Sequence, residues 1–320
     1  MNFLRALFLA PAALVAACTA NATQAPPGDV LSRPAGPAEF LTASGGYVYW
    51  VGESSDQTWS IARVAESGGA IQTIAASVAQ PGGLSVSGST VYFTDTSGNA
   101  LLSIPATGLA DGQAPTIVAK VQSPTSVVIV SDDAYVIQGS GSSGGPLLRL
   151  SLDGSSPPAI VATTSPSNLV TDGTAAYFAT THQTSPTTFG STVARDVAGD
   201  LAAQNLVGSG QPVGALAVNG ADVVSTTLEL SSQTDYDLVL LPIDAGTSVT
   251  LATGLPSKAS VAATSTAVYW SDTSGTWTVP LSGGAATQVS SYQAQLTADG
   301  DHVFGVEMTP SGPVLVAETR

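Results

Sequence analysis

The chain has 320 residues, of which only 10% are charged, and it carries a net charge of −15 from 23 acidic and 8 basic residues. This balance argues against nucleic acid as a partner, because phosphate binding needs clustered Lys and Arg. The 33 Gly and 20 Pro residues favour many short strands joined by turns over long helices. The composition therefore predicts an all-β protein.

The N-terminus reads as an export signal over residues 1–17. Arg5 provides a positive start, and an apolar run follows up to Ala17 that is too short for a permanent membrane span. The run ends in Val-Ala-Ala followed by Cys18, the chain's single cysteine. A lone cysteine forms neither an intramolecular disulfide nor a Cys-based zinc site.

The segment that ends at Cys18 resembles the bacterial lipobox. That resemblance implies cleavage before Cys18 and acylation of this residue, which would attach the protein to a membrane. Thr19 at the next position, by the same resemblance, favours the outer membrane, on its periplasmic or surface side. Residues 18–28 are then the lipidated cysteine and a flexible, small and polar tether. The remainder, 29–320, is predicted to fold as one domain.

An aromatic or apolar strand recurs through this domain, with spacings between 35 and 47 residues. Its central positions are Tyr49, Tyr92, Tyr135, Tyr177, Val224, Tyr269 and Phe304. Seven such units indicate a closed repeat fold, since repeats of about 40 residues that contain several strands are typical of propellers.

Each unit contains four predicted strands, as the second unit shows. Its runs are GGLSVSG (82–88), TVYFTD (90–95), ALLSIP (100–105) and PTIVAKV (115–121). In the second run both faces are apolar, which predicts a blade buried between two neighbours. The sequence therefore predicts a seven-bladed β-propeller of four-stranded antiparallel blades.

The last unit contains only three runs before the sequence ends at residue 320. A candidate fourth strand lies in 28–36, ahead of the first blade. We therefore expect a three-plus-one closure in which Val30–Ser32 pairs beside Leu315–Glu318, because closure removes an open sheet edge.

Two units carry runs that resemble the YWTD-type propeller repeat of lipoprotein-receptor ectodomains and many bacterial proteins: YFTDTSGN (92–99) and YWSDTSGT (269–276). The resemblance implies that Asp95 and Asp272 brace neighbouring blades through backbone hydrogen bonds. The receptor members have six blades, whereas seven are counted here. The equivalent position holds other residues in the remaining blades: Gly52, Gln138, Thr180, Thr227 and Glu307.

The longest predicted loops lie in blade four (181–192) and blade five (226–238), on the face that surrounds the channel mouth. Loops on a rigid scaffold commonly carry function. The candidate ligand-binding residues on them are His182, Phe189, Glu229, Asp235, Tyr236 and Asp237. The alternative is that both loops are solvated insertions.

No catalytic set, metal site or cofactor is expected. The chain has two histidines, His182 and His302, too few for a three-histidine metal site. His302 lies beside Asp299 and Asp301 in the sequence, and oxygen-rich segments such as 299–301 are interpreted as turns without an EF-hand pattern. A Ser–His–Asp set recognised by geometry alone stays open.

The function expected from the sequence is therefore a non-enzymatic, cell-envelope binding scaffold for a protein, peptide or glycan. One alternative is an assembly factor for outer-membrane proteins. A second, from another class, is a propeller lyase or hydrolase.

Overall fold

The computed structural model describes residues 29–53, 58–139, 145–163, 165–185, 188–198, 203–209, 211–229, 234–244, 246–256 and 260–318. In these ranges, twenty-eight β-strands fall into seven four-stranded antiparallel sheets. Within these residues no helix is long and apolar enough to cross a membrane. The expected all-β, seven-bladed propeller is confirmed.

The strands of the first four blades follow one another along the chain. Blade one contains β2 (Ala38–Ser44), β3 (Tyr47–Glu53), β4 (Trp59–Ala65) and β5 (Gln72–Val78). Blade two contains β6 (Pro81–Ser87), β7 (Thr90–Asp95), β8 (Ala100–Pro105) and β9 (Thr116–Lys120). Blade three contains β10 (Pro124–Val130), β11 (Asp133–Gln138), β12 (Leu147–Ser151) and β13 (Ala159–Ala162). Blade four contains β14 (Pro166–Thr171), β15 (Ala175–Ser185), β16 (Thr188–Val197) and β17 (Gln204–Ser209).

The last three blades complete the ring. Blade five contains β18 (Val213–Val218), β19 (Asp222–Leu228), β20 (Tyr236–Pro242) and β21 (Val249–Leu255). Blade six contains β22 (Ser260–Ala263), β23 (Ala267–Asp272), β24 (Gly275–Pro280) and β25 (Thr287–Ser290). Blade seven contains β26 (Ala294–Asp299), β27 (His302–Thr309), β28 (Gly312–Ala317) and the N-terminal β1 (Asp29–Ser32).

The ring closes where β1 pairs antiparallel with β28. Val30 lies opposite Val316 and Ser32 lies opposite Leu315, so the predicted three-plus-one closure is confirmed. Leu31 lies in a core cluster with residues of blades one and seven. The strand thus joins the two ends of the described chain and covers the edge that β28 would otherwise expose.

The hydrophobic core lies between blades, as the two-sided apolar strands predict. In blade two, Val91 and Phe93 are fully buried and pack with residues of blade one, whereas Tyr92 packs on the other side, toward blade three. Side chains alternate between the two faces of a strand, so each second strand contributes to two cores. This packing fixes the blades around a common axis.

Glycine permits the closest approach between two blades. A Cβ atom on Gly83 would lie 2.9 Å from the backbone of Ser126, and one on Gly82 would lie 2.8 Å from the carbonyl oxygen of Pro124. Innermost strands β6 and β10 therefore meet nearly backbone to backbone. Each innermost strand also lies next to the innermost strand of the following blade around the ring.

Candidate functional site

A central channel runs between the innermost strands of the seven blades. Its volume is about 1140 Å³, and each of β2, β6, β10, β14, β18, β22 and β26 contributes to its wall. Most of the lining side chains are small, such as Ser85, Ser126 and Ala217. A cavity of this size can take a small molecule or the end of a peptide.

Bulges interrupt the innermost strands of blades one to five, where the register to the second strand shifts. At two of them a residue with a side chain adopts positive φ: Phe40 at 53° and Asn168 at 52°. Both residues line the channel. Bulges and positive φ turn side chains away from the regular alternation and are frequent beside functional sites.

The charged residues that line the channel are all acidic: Asp172, Asp299 and Asp301. No Lys, Arg or His lines it in the described part of the chain. In a cavity with low-dielectric walls this distribution attracts positively charged groups. The three carboxylates lie at the end of the channel formed by the turns between first and second strands, called the turn mouth here.

Asp172 is committed to its own turn. Its carboxylate accepts hydrogen bonds from Thr174 (both N and Oγ1), Ala175 N and Tyr177 Oη, at 2.8 to 2.9 Å. Partial burial alone would raise the pKa of Asp172, but these hydrogen bonds hold it below its ordinary value. Asp172 therefore stays ionised as a fixed negative charge.

Asp299 forms a carboxyl pair with Glu66, which arrives from blade one. The Glu66 backbone N–H donates to the carbonyl oxygen of Gly46 at 3.0 Å, which places Glu66 next to the first turn of its blade. Burial raises the pKa of Glu66, and the charge and hydrogen bond of Asp299 raise it further, while nearby His302 lowers it. The Glu66 Oε1 atom is buried and has no hydrogen-bond donor among the described residues.

A second polar contact crosses blades at the same mouth. The Ser265 hydroxyl of blade six donates to the Asp301 carboxylate of blade seven. The turn mouth thus gathers a serine, three carboxyls and a histidine from blades six, seven and one. Two neighbouring carboxyls, one with a raised pKa and the other at the wall of a cavity, are an arrangement suited to general acid–base catalysis.

The sequence-predicted loop of blade four is a hairpin. Strands β15 and β16 continue through most of the segment, with His182 opposite Gly190 and Gln183 opposite Phe189. The loop expectation is wrong here because Thr188, Phe189 and Thr192 favour strand, and pairing extends through them. His182 and Phe189 lie on opposite faces of this hairpin.

His182 lines a groove of about 490 Å³ between blades three and four, with Ile160 and Phe178. Phe189 is 51% exposed on the face directed toward blade five. The same face carries Ser191, whose hydroxyl accepts a hydrogen bond from the Val213 backbone of blade five at 3.2 Å.

The candidate residues of blade five lie elsewhere. The Glu229 N–H donates to the carbonyl oxygen of Asp235 at 2.7 Å, which closes the base of that loop. Tyr236 packs against the core between blades five and six. Burial, and then the charge of Glu229, raise the pKa of Asp237. The structure thus does not bring this set together with His182, and the ligand-binding role of both sets stays a prediction.

Asp95 and Asp272 accept hydrogen bonds from their own turns rather than from neighbouring blades. Asp95 receives Ser97 Oγ and Gly98 N at 2.9 and 2.6 Å, and Asp272 receives Ser274 N and Oγ at 2.7 and 2.6 Å. The residues next to these two aspartates, Thr96 and Ser271, connect the blades instead.

Thr96 Oγ1 donates to the Pro124 carbonyl at 2.8 Å, and Ser271 Oγ accepts from Ala294 N at 2.7 Å. The tryptophans of blade six, Trp270 and Trp277, stack with ring centroids 6.3 Å apart. They belong to the core between blades five and six.

Cys18 and the predicted signal and tether lie outside the described residues. In the described part, no group of three or more His, Cys, Asp or Glu residues is arranged to hold a metal ion.

No protein-family model matches the chain, and no curated protein matches it significantly. Among solved structures, it is similar to a puromycin hydrolase (16% identity, TM-score 0.64), over 90% of this chain and 52% of that one. It is similar to a puromycin-hydrolyzing peptidase of Mycobacterium tuberculosis (13%, TM-score 0.65), over 91% and 53% of the two chains. The chain therefore spans about half the length of these two proteins.

A third similar structure is the β-propeller domain of the Trilobed protease from Pyrococcus furiosus, at 9% identity and a TM-score of 0.62, over 88% of this chain and 94% of that one. That domain is described as having an open Velcro topology, whereas β1 closes the ring here. These likenesses show a shared propeller fold.

The same comparisons correct the expected function. The expectation of a non-enzymatic binding scaffold is contradicted by the likeness to a puromycin hydrolase and to a puromycin-hydrolyzing peptidase. The hydrolase alternative takes its place as the proposal below.

Proposed function

We propose that this chain is a hydrolase that acts on peptide-like substrates held in its central channel. The observation that carries the proposal is the acidic turn mouth of the channel, where Asp299 lines the wall and interacts with Glu66 of blade one. The likeness to hydrolases and peptidases supports the same reaction class.

The pair divides the acid and base roles. Glu66, whose pKa is raised by burial and by Asp299, serves as the proton donor, and Asp299 serves as the proton acceptor. Asp299 accepts a proton from a water molecule whose oxygen attacks the amide carbon, while Glu66 protonates the carbonyl oxygen. The C–N bond then breaks: Asp299 returns its proton to the nitrogen, and the former carbonyl oxygen returns its proton to Glu66. Water and amide become acid and amine, and the pair is restored.

The lining charges indicate the substrate class. Asp172, Asp299 and Asp301 supply only negative charge, so a substrate with a free amine is favoured over one with a free carboxylate. We therefore expect the chain to cleave aminoacyl amides in preference to their N-acylated analogues.

The test is a hydrolysis assay on fluorogenic aminoacyl amides. Glu66→Gln and Asp299→Asn are each expected to lower kcat/KM by about 100-fold or more, the usual contribution of a general acid or base. The wild-type rate should fall as pH rises, because Glu66 loses the proton that it donates. Asp111→Asn, at an exposed position, is the matched control and should leave the rate unchanged.

Two results would contradict the proposal. One is a purified protein that cleaves neither the free nor the N-acylated substrates. The other is activity that survives both Glu66→Gln and Asp299→Asn.

A second candidate follows from the chain's span of about half the puromycin hydrolase chain. Here the propeller is one part of a hydrolase whose catalytic groups lie outside these 320 residues. Activity would then appear only in the presence of the part that carries those groups, and Glu66→Gln would leave it intact.

We also propose that the protein is a lipoprotein anchored through Cys18 in the cell envelope, and that its repeats are of YWTD type. The lipobox-like residues support the first statement, and the YFTD and YWSD runs of blades two and six support the second. In this arrangement residues 19–28 lead directly into β1, at the outer edge of blade seven.

A further inference from the structure

Blade seven contains two carboxyls that are almost completely buried. Glu307, on β27, is 0% exposed, and Glu318, directly after β28, is 5% exposed. Among the residues that the structure describes, both oxygens of Glu307 and the Oε1 atom of Glu318 have no hydrogen-bond donor. Buried polar groups are normally hydrogen-bonded, so this exception needs a physical explanation.

A glycine between the two side chains lets them meet. The Glu318 N–H donates to the Val303 carbonyl at 2.8 Å, and Gly305 lies between Val303 and Glu307 on the same face of β27. A Cβ atom on Gly305 would lie 3.5 Å from Glu318 Oε1. The Glu318 side chain therefore extends over Gly305 toward Glu307.

Few groups compensate these two charges. The only carboxyl that acts on each of them within the described residues is the other one, and the Ser290 hydroxyl of blade six faces Glu307. Asp272, a buried carboxyl of blade six, is bound by its own turn. Two adjacent buried anions without a cation would repel each other at a high desolvation cost.

We propose that Glu307 and Glu318 share one proton, and that loss of this proton loosens the blade that closes the propeller ring. The protonated carboxyl donates a hydrogen bond to the ionised one, which satisfies both inside the core. This role is independent of the hydrolase proposal, because neither residue lines the channel.

The titration has a definite direction. Burial, and then the charge of Glu307, raise the pKa of Glu318 from 4.5 to about 7. The folded state therefore keeps a proton that the unfolded chain releases, and this stabilisation is complete below pH 4.5 and lost as pH rises through about 7. The shift corresponds to an approximately 300-fold fall in the folding equilibrium constant across that window.

The loss of stability is expected to be local to the strand pair that β1 and β28 form. Glu318 directly follows β28, and β28 is the strand that holds β1. Repulsion between the two carboxylates therefore acts on the strand pair on which the closed ring depends.

The experiment measures unfolding of the full chain from pH 4.5 to pH 8 for the wild type and Glu318→Gln. Glutamine is neutral at every pH and can still donate to Glu307, so the variant should lose most of the wild-type pH slope and be more stable than the wild type at pH 8. Glu39→Gln, at an exposed position of β2, should keep the wild-type slope.

Hydrogen exchange gives the second readout. After correction for intrinsic rates, amides of β1 and β28 should exchange faster at pH 8 than at pH 5 in the wild type but not in Glu318→Gln, while β10 and β11 of blade three should not change. An unchanged slope in Glu318→Gln would overturn the proposal. Stabilisation of the wild type, but not of Glu318→Gln, by millimolar calcium at pH 8 would also overturn it, because a cation would then hold the pair.

Discussion

Single polar residues connect neighbouring blades within the otherwise apolar core. The Tyr135 hydroxyl of blade three donates to Asp196 Oδ2 of blade four at 2.6 Å, and Arg149 Nη1 donates to the same oxygen at 3.3 Å. Tyr135 and Asp196 are 0% and 2% exposed. Burial, and then the hydrogen bond to Asp196, raise the pKa of Tyr135, so the phenol remains a donor at physiological pH.

Removing this hydroxyl should weaken the contact between blades three and four. Tyr135→Phe is expected to lower the free energy of unfolding by about 1.5–3 kcal/mol, the usual value of a hydrogen bond to a charged group. Urea unfolding measures the change. Tyr92→Phe, at the equivalent position of blade two, is the control, since in the described residues its hydroxyl meets no buried carboxylate. Equal effects of the two substitutions would contradict the assigned role of Asp196.

At the scale of elements, the closing strand carries more of the stability than its four residues suggest. β1 adds the buried side chain of Leu31 to the core and covers β28, whose residues Val314–Val316 are fully buried. A chain that starts at residue 33 should therefore melt about 3–5 °C below one that starts at residue 29, because burial of one leucine alone contributes about 1.5–3 kcal/mol.

The uncovered edge of β28 should also promote association of the shortened chain. Calorimetry and light scattering on the two chains test both effects, and the chain from residue 29 serves as the control. Equal melting temperatures and a monomeric shortened chain would show that closure does not depend on β1.

The strands that the sequence predicts are those whose hydrophobic pattern reflects burial of their side chains. The seven recurrences of the strand type seen around Tyr92 were sufficient to predict seven blades, and the three-strand last unit was sufficient to predict the closure. The hairpin around Phe189 was missed because Ser and Pro within it indicate a turn, while strand pairing on both sides outweighs that signal.

The candidate site was only half visible in the sequence. Asp299 and His302 are three residues apart in the sequence, and the acidic turn between them is visible there. Glu66 belongs to blade one, far away in the chain, and only the closed ring brings it to Asp299. Glu307 lies at the repeat position that Asp95 and Asp272 hold in their blades, and the repeat pattern assigns it no role. Its pairing with Glu318 depends on the space that the missing side chain of Gly305 leaves.

On the scale of the whole molecule, the proposed lipid anchor and the acidic channel are compatible with each other. A net charge of −15 and the carboxylates of the turn mouth attract cationic molecules over a distance of about 8 Å at physiological salt. A tether attached at the outer edge of blade seven leaves both mouths of the channel free of the membrane attachment point. A substrate could therefore reach the channel while the protein remains bound to the membrane.

The anchor itself is testable through Cys18. Because several acyl chains on one cysteine give stable membrane attachment, the wild type expressed in bacteria should partition into the detergent phase, and mass spectrometry of its N-terminal peptide should find acylated Cys18. Cys18→Ala removes the residue that accepts the acyl chains. As a control, a cleavable secretory signal is fused directly to residue 19, so that no part of the signal is retained after cleavage. That fusion should be released in the aqueous phase with the melting temperature of the detergent-extracted wild type, since the tether precedes β1. A fusion that still partitions with detergent would show that the propeller, and not Cys18, binds the membrane.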